Sequence, residues 1–140
     1  MTIKVQLDQD QGAYEPVRAH EHDAGLDLRS PKTVVVPAHG CAVIDTGVHI
    51  AIPVGYVGTL ASKSGLNIKH NLTSFGTIDA GYTGSMVVKL YNNGNTDYTV
   101  MMGDKITQLV IHPIITPDIE YVDKLEETER GNNGFGSSGR

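Results

Sequence analysis

Nine residues near the middle of the chain, Gly76-Thr77-Ile78-Asp79-Ala80-Gly81-Tyr82-Thr83-Gly84, place a carboxylate and an aromatic ring three positions apart among glycines. Asp79 offers an acidic group. Tyr82 offers a flat apolar face. Gly81, between them, admits a backbone angle or a close approach that a side chain would block. The group suits a small-molecule pocket. The plainer reading is an ordinary hairpin, with Asp79 in the turn and Tyr82 packed outward.

Four further segments carry chemistry of their own. Asp23 and Asp27 lie four apart in Asp23-Ala24-Gly25-Leu26-Asp27-Leu28. Leu26 and Leu28 would face inward, leaving Asp27 on the other side as a metal or metal-water ligand, or simply as a turn residue. Ser62-Lys63-Ser64-Gly65-Leu66 would expose backbone N–H groups, hydroxyls and an ammonium at a helix start, which suits phosphate or merely a capped surface helix. In Gly103-Asp104-Lys105-Ile106-Thr107-Gln108-Leu109-Val110, alternation puts Ile106, Gln108 and Val110 on one face and Thr107 and Leu109 on the other. A buried Gln108 then needs a partner, either a ligand phosphate or a backbone group. The C-terminal Arg130-Gly131-Asn132-Asn133-Gly134-Phe135-Gly136-Ser137-Ser138-Gly139-Arg140 is too glycine-rich to fold alone, yet it holds one of the chain's 2 phenylalanines. Such a tail can close on an anionic, ring-bearing ligand, with Phe135 stacking and Arg130, Ser137, Ser138 and Arg140 near phosphates.

Short strands must position these groups. Ile3 to Leu7, Leu26 to Leu28, Thr33 to Val36, Cys41 to Ile52 (broken at Gly47) and Tyr56 to Ala61 read as strands. So do Leu72 to Phe75, Met86 to Tyr91, Thr99 to Met101, Ile106 to His112 and Ile119 to Val122. Ser64 to Asn71 reads as a short helix with Ser64 as its cap, and Asp123 to Arg130 as either helical or extended. With 16 glycines in the chain, the expectation is an all-β fold. It would be a jelly-roll-like barrel or sandwich with one short helix, formed by residues 1–129, and a flexible tail over 130–140.

The totals narrow the function. A chain of 140 residues with 39% hydrophobic and 19% charged content fits one globular domain. A formal charge of −5, from 11 Lys+Arg against 16 Asp+Glu, argues against a general nucleic-acid or membrane-surface binder. It leaves room for an anionic ligand neutralised locally. No apolar run reaches the ~20 residues of a membrane span, and Met1-Thr2-Ile3-Lys4-Val5 lacks a signal-peptide layout. The single cysteine, Cys41, is expected to be a small buried hydrophobe, and its lack of a disulfide partner favours a reducing cytoplasm. The 6 histidines form no zinc pattern with it.

Taken in order, the five segments resemble the five motifs of the dUTP diphosphatase (dUTPase) family of the homotrimeric, all-β type, over nearly the whole chain. The resemblance implies hydrolysis of dUTP to dUMP and pyrophosphate with Mg²⁺, limiting uracil in DNA and supplying dUMP for thymidylate. It further implies a jelly-roll homotrimer with active sites at subunit interfaces, in the cytoplasm, or the host cytoplasm for a viral gene. By the same resemblance Asp79 activates the attacking water and Tyr82 packs on the deoxyribose. Lys63, Ser64, Gly65 and Gln108 contact phosphates, and Asp27 touches Mg²⁺ through water. Gly76 brings backbone near the base, Phe135 with Gly136 covers the uracil, and Arg130, Ser137 and Ser138 reach the γ end. The chain departs from the family pattern at Lys63, where arginine is usual, at Gly81 and Thr83 on either side of Tyr82, and at Thr73, where some members place an asparagine that reads uracil. Two other readings share the fold, a dUTP-binding regulatory protein and a dCTP deaminase relative.

Overall fold

The computed structural model describes residues 1–139. Ten strands make up most of the regular secondary structure: β1 (Lys4–Leu7), β2 (Gly25–Arg29), β3 (Val34–Val36), β4 (Cys41–Asp45), β5 (Val48–Ala51), β6 (Tyr56–Ala61), β7 (Leu72–Ile78), β8 (Val87–Asn92), β9 (Tyr98–Val100) and β10 (Lys105–Pro113). One α-helix, α1 (Ser64–His70), joins β6 to β7. Six strands form an antiparallel sheet in the order β2-β10-β6-β7-β8-β4, and the pairs β1-β5 and β3-β9 complete an all-β, jelly-roll-like fold.

Period-two alternation explains most of the core. On β7, Leu72, Ser74 and Ile78 are buried while Phe75 and Thr77 face out; on β8, Val88, Leu90 and Asn92 are buried while Val87, Lys89 and Tyr91 face out. These inward residues meet Leu28, Ile44, Leu60, Ile106 and Leu109 in one aliphatic core. Polar side chains inside it are satisfied. Thr107 donates to the carbonyl of Ala61 at 2.9 Å and shares a hydrogen bond with Ser74 at 2.8 Å.

Several details differ from the sequence expectation. The ladder between β10 and β2 shifts register between Lys105 and Thr107, so Ile106 and Thr107 are both buried and simple alternation fails there. Ile106 shares the core side with Leu109 rather than the face of Gln108. Cys41 is exposed, not buried, because it pairs with Tyr91 on the outward face of β4 and β8. Ile119–Val122 forms no strand; of the two alternatives for Asp123–Arg130 the helix is not formed, and the segment is irregular with bends at Asp123–Lys124 and Glu129–Arg130. Ser64 is the first residue of α1 and not its cap; Lys63 holds the cap position with extended backbone, and no side chain caps the helix. The helix ends on Asn71, which takes left-handed φ (57°) and donates its N–H to the carbonyl of Asn67 at 3.1 Å.

Candidate functional site

The sequence-predicted residues fall into two groups within one chain. The first gathers where β2, β10 and the end of β6 meet. Val17 and Asp27 exchange two backbone hydrogen bonds, at 2.7 and 3.2 Å, which fix Asp27 on β2 opposite Gln108 of β10. Asp27 is only 4% exposed. Its Oδ1 accepts from the Lys63 ammonium and its Oδ2 from that of Lys105, the latter at 2.7 Å. Burial opposes its charge, but hydrogen bonds from Lys105 and Lys63 and their positive charges outweigh that cost, holding the carboxyl below the ordinary aspartate range. One acid with two lysines leaves this corner net positive, in a chain whose total is −5.

Gln108 lies over Gly25 and donates Nε2 to the carbonyl of Ser62 at 3.1 Å, so its partner within the chain is a backbone group. A Cβ on Gly25 would stand 2.3 Å from Gln108 Oε1, and glycine is required there by contact. Ser62 in turn bridges to β7, donating Oγ to the Ser74 carbonyl at 3.0 Å and accepting from its N–H at 2.9 Å. Ser64 and Gly65 sit exposed at the start of α1, beside Lys63. Lys105 has no assigned role in the sequence pattern, yet the fold brings it onto Asp27. Its signal was a lysine at a strand start, whose long stem lets the ammonium reach an acid on the adjacent strand.

The second group lies beyond the far end of β7. Asp79 follows Ile78 and is exposed. The Tyr82 N–H donates to the Asp79 carbonyl at 3.0 Å, closing a turn, and the Tyr82 hydroxyl donates to the Ser85 carbonyl at 2.8 Å. Gly81, credited above with a special backbone role, has no left-handed φ and open space where a Cβ would stand. The constrained glycine is Gly84, where a Cβ would meet the Tyr82 ring at 2.5 to 2.8 Å. Gly76, earlier on β7, faces Leu60, whose Cδ1 would lie 3.2 Å from an added Cβ.

The turn is pinned from the β4–β5 side. Asp45 accepts from the Ser85 hydroxyl and, at 3.0 Å, from the Gly47 N–H. Those two hydrogen bonds lower its pKa in that order. Met86 donates to the Val48 carbonyl at 2.8 Å, and Thr46 Oγ1 donates to the Met86 carbonyl at 2.7 Å. His49 reaches the Thr83 carbonyl with Nδ1 at 2.8 Å. None of Asp45, Thr46 or His49 was singled out from the sequence, because each contact joins residues more than thirty positions apart.

The two groups do not meet in one chain. Ser74 touches Ser62 near the first, while Asp79 lies five residues further along, roughly 16 Å at about 3.3 Å per residue. The tail joins neither group. Phe135 is fully exposed, and the hydrogen bonds of residues 130–139 are local: Arg130 Nε donates to the Asn133 carbonyl at 3.0 Å and Ser137 N–H to that of Gly134 at 3.2 Å. Gly136 has left-handed φ (96°), and Ser138 is exposed. Arg140 lies outside the described residues. The segment before the tail exposes Ile115, Ile119, Tyr121 and Leu125.

A family profile described as dUTPase matches residues 13–139. The chain is 42% identical over 130 residues to the deoxyuridine 5'-triphosphate nucleotidohydrolase of Paramecium bursaria Chlorella virus 1, covering 92% of each chain. It is 46% identical over 125 residues to that of Arabidopsis thaliana, covering 89% of this chain and 75% of the other. Among solved structures, the dUTPase of Staphylococcus bacteriophage 80alpha with dUPNHPP superposes with a TM-score of 0.91 at 37% identity, covering 99% of both chains. A variant dUTPase from phage phi11 of S. aureus, described with a structural Mg(II) ion, superposes at 0.82 and 36% identity, covering 91% of this chain and 100% of that one. A profile match over nearly the whole sequence, relatives above 40% identity and a shared fold agree, and the chain belongs to the dUTPase family.

Proposed function

We propose that this protein hydrolyses dUTP to dUMP and pyrophosphate at sites assembled from more than one copy of the chain. The observation that carries this reading is the separation of the Asp27–Lys63–Lys105–Gln108 corner from the Asp79–Tyr82 turn. Water activation and phosphate binding belong within a few ångströms of one phosphorus atom, and in one chain Asp79 lies roughly 16 Å of strand beyond Ser74, the β7 residue that touches the corner through Ser62. A neighbouring copy in a homotrimer would bring one group's residues to the other's. The exposed apolar side chains of Ile115, Ile119, Tyr121 and Leu125 give a neighbouring copy a surface to cover, with the tail beyond them reaching a shared site.

In this reading Asp79 holds and deprotonates a water for in-line attack on the α-phosphorus, and pyrophosphate leaves as the P–O bond to the β-phosphate breaks. Tyr82, its hydroxyl tied back to Ser85, presents its ring to the deoxyribose, where a 2′-hydroxyl would need room. Packing against one hydroxyl discriminates by about a hundredfold at most, so UTP is disfavoured rather than excluded. Lys63, Ser64, Gly65 and Gln108 contact the phosphates, and Lys105 joins them as a cation. Lys63 must then choose between Asp27 and phosphate, and as a lysine it offers no bidentate clamp. Gly76 lets backbone approach the base. The tail closes last, with Phe135 and Gly136 over the uracil and Arg130, Ser137 and Ser138 at the γ end.

Among the described residues, no group of three or more His, Cys, Asp or Glu is placed to hold a metal ion. A lone carboxylate already bearing two ammonium groups fits contact with Mg²⁺ through water, not direct ligation. Bound on the triphosphate, Mg²⁺ would neutralise its charge and favour attack at phosphorus. No helix among the described residues is long and apolar enough to cross a membrane, and nucleotide hydrolysis suits a cytoplasmic enzyme, in the host cytoplasm if the gene is viral. The reading is tested by pyrophosphate release from dUTP, UTP, dCTP and dTTP with and without Mg²⁺. Turnover of dUTP, with UTP much slower and dCTP and dTTP inert, supports it; ammonia release from dCTP would revive the deaminase reading, and tight binding without turnover the regulatory one.

A further inference from the structure

His49 presents both ring nitrogens to oxygen acceptors. Nε2 lies 2.9 Å from Asp8 Oδ2, and Nδ1 lies 2.8 Å from the carbonyl oxygen of Thr83. A peptide carbonyl only accepts, and so does an ionised carboxylate. Asp8 also accepts from Gln11 Nε2 at 3.3 Å, consistent with an acceptor-only group. Both contacts are hydrogen bonds only if each ring nitrogen carries a proton, that is, if His49 is an imidazolium. A neutral ring has one bare nitrogen, and that nitrogen would face an oxygen lone pair.

We infer that His49 is a positioning residue for nucleotide binding: its imidazolium holds Thr83, and through it the Tyr82 turn, and loss of one proton releases that hold. This rests on the assignment of Asp79 and Tyr82 to the nucleotide site. The neutral ring keeps its proton toward Asp8, because that bond is charge-assisted, and Thr83 is the contact given up. Thr83 adjoins Tyr82 and is itself exposed, so few other contacts hold this point of the turn.

The charged groups around the ring favour the cation. Asp8 follows β1, Asp45 ends β4, and Lys4 on β1 is the one base lining the open concavity of about 310 Å³ shared with His49 and Thr83. The Asp8 hydrogen bond, then that of Thr83, raise the His49 pKa above its ordinary value, with the charges of Asp8 and Asp45 adding to them. The ring therefore keeps its proton to a higher pH than an ordinary histidine.

The test measures affinity for a non-hydrolysable dUTP analogue, and KM for dUTP, from about pH 6 to about pH 9, with His49 protonation followed by imidazole ¹⁵N NMR. The nucleotide's terminal phosphate also titrates near the bottom of this range, so the comparison is between wild type and variants. In wild type, affinity should fall roughly threefold to tenfold as His49 loses its proton, with kcat little changed. His49→Gln should bind weakly at all pH values and lack that step. Asp8→Asn should keep the step but move it to lower pH, in parallel with the NMR titration. A step that persists in His49→Gln, or stays in place in Asp8→Asn while the NMR titration moves, would overturn the inference. Circular dichroism checks folding, and Asp8→Asn carries the test if His49→Gln does not fold. Failure of the Asp79 assignment is read separately, as turnover surviving in Asp79→Asn.

Discussion

The Tyr82 hydroxyl donates to the Ser85 carbonyl at 2.8 Å, and this bond lays the ring across Gly84, where an added Cβ would stand 2.5 Å from the hydroxyl oxygen. Gly84→Ala must therefore displace Tyr82, while Gly81→Ala meets nothing within 4 Å. Steady-state kinetics on dUTP should show Gly84→Ala losing at least about tenfold in kcat/KM, with relaxed discrimination against UTP. Gly81→Ala should stay near wild type. Equal effects of the two would sink this account of the turn.

Asp79→Asn keeps the shape of the turn and removes the proton acceptor. Its kcat should fall by about a hundredfold to ten-thousandfold. Isothermal titration with a non-hydrolysable analogue should still detect binding. Turnover near the wild-type level at saturating Mg²⁺ and dUTP would remove Asp79 from the mechanism.

The two-group geometry predicts complementation. Asp79→Asn and a variant inactivated in the other group, Gln108→Ala with Lys63→Ala, should each be weak alone. Refolded together at equal amounts, about a quarter of the sites would combine an intact Asp79 with an intact phosphate corner, if two different copies supply them. Activity no greater than the average of the two parents would mean that one chain supplies both groups.

Truncation after Arg130 removes Phe135, Ser137 and Ser138 but no core residue, so the melting temperature should be unchanged. Turnover of dUTP should drop by at least about tenfold, with a higher KM, because a closing segment contributes binding and excludes water. Intact turnover in the truncated chain would show the tail to be dispensable.

Asp27 makes stability pH-dependent with a definite sign. Its folded pKa lies below its unfolded one, so the unfolded chain binds the proton more readily. The stabilisation is fully present above the ordinary aspartate value of about 3.9 and is lost as pH falls from there through the folded pKa. Asp27→Asn should lower stability by about 1–3 kcal/mol at neutral pH, since Lys63 and Lys105 lose their acid but remain partly solvated. Its acid-side loss should be shallower than wild type in thermal melts across the acid range. Parallel curves would remove Asp27 from the linkage.

Much of this was legible along the chain. Alternation on β7 and β8 needs only a period of two, and the turn glycines and short apolar runs already imply an all-β fold. The five motifs could be read because each is a local string. The phase of an alternating run was not: Cys41 could face either way until β4 paired with Tyr91 on β8. The irregularity at Ile106 likewise arises only when β10 is laid against β2. Gly81 and Gly84 are indistinguishable in sequence, and only the direction of the Tyr82 ring makes the second one necessary.

The sequence by itself determined which chemical groups exist and their order: Asp27, Lys63, Asp79, Tyr82, Gln108 and a tail bearing Phe135. The tertiary structure decided which of them touch. Lys105 meets Asp27 because β2 and β10 are neighbours in the sheet, and His49 meets Thr83 because β5, which carries it, passes behind the Tyr82 turn. Asp79 stands apart from the phosphate corner because a rigid strand separates them. Contacts between distant positions depend on strand pairing and side-chain reach, neither of which is written in the order of residues.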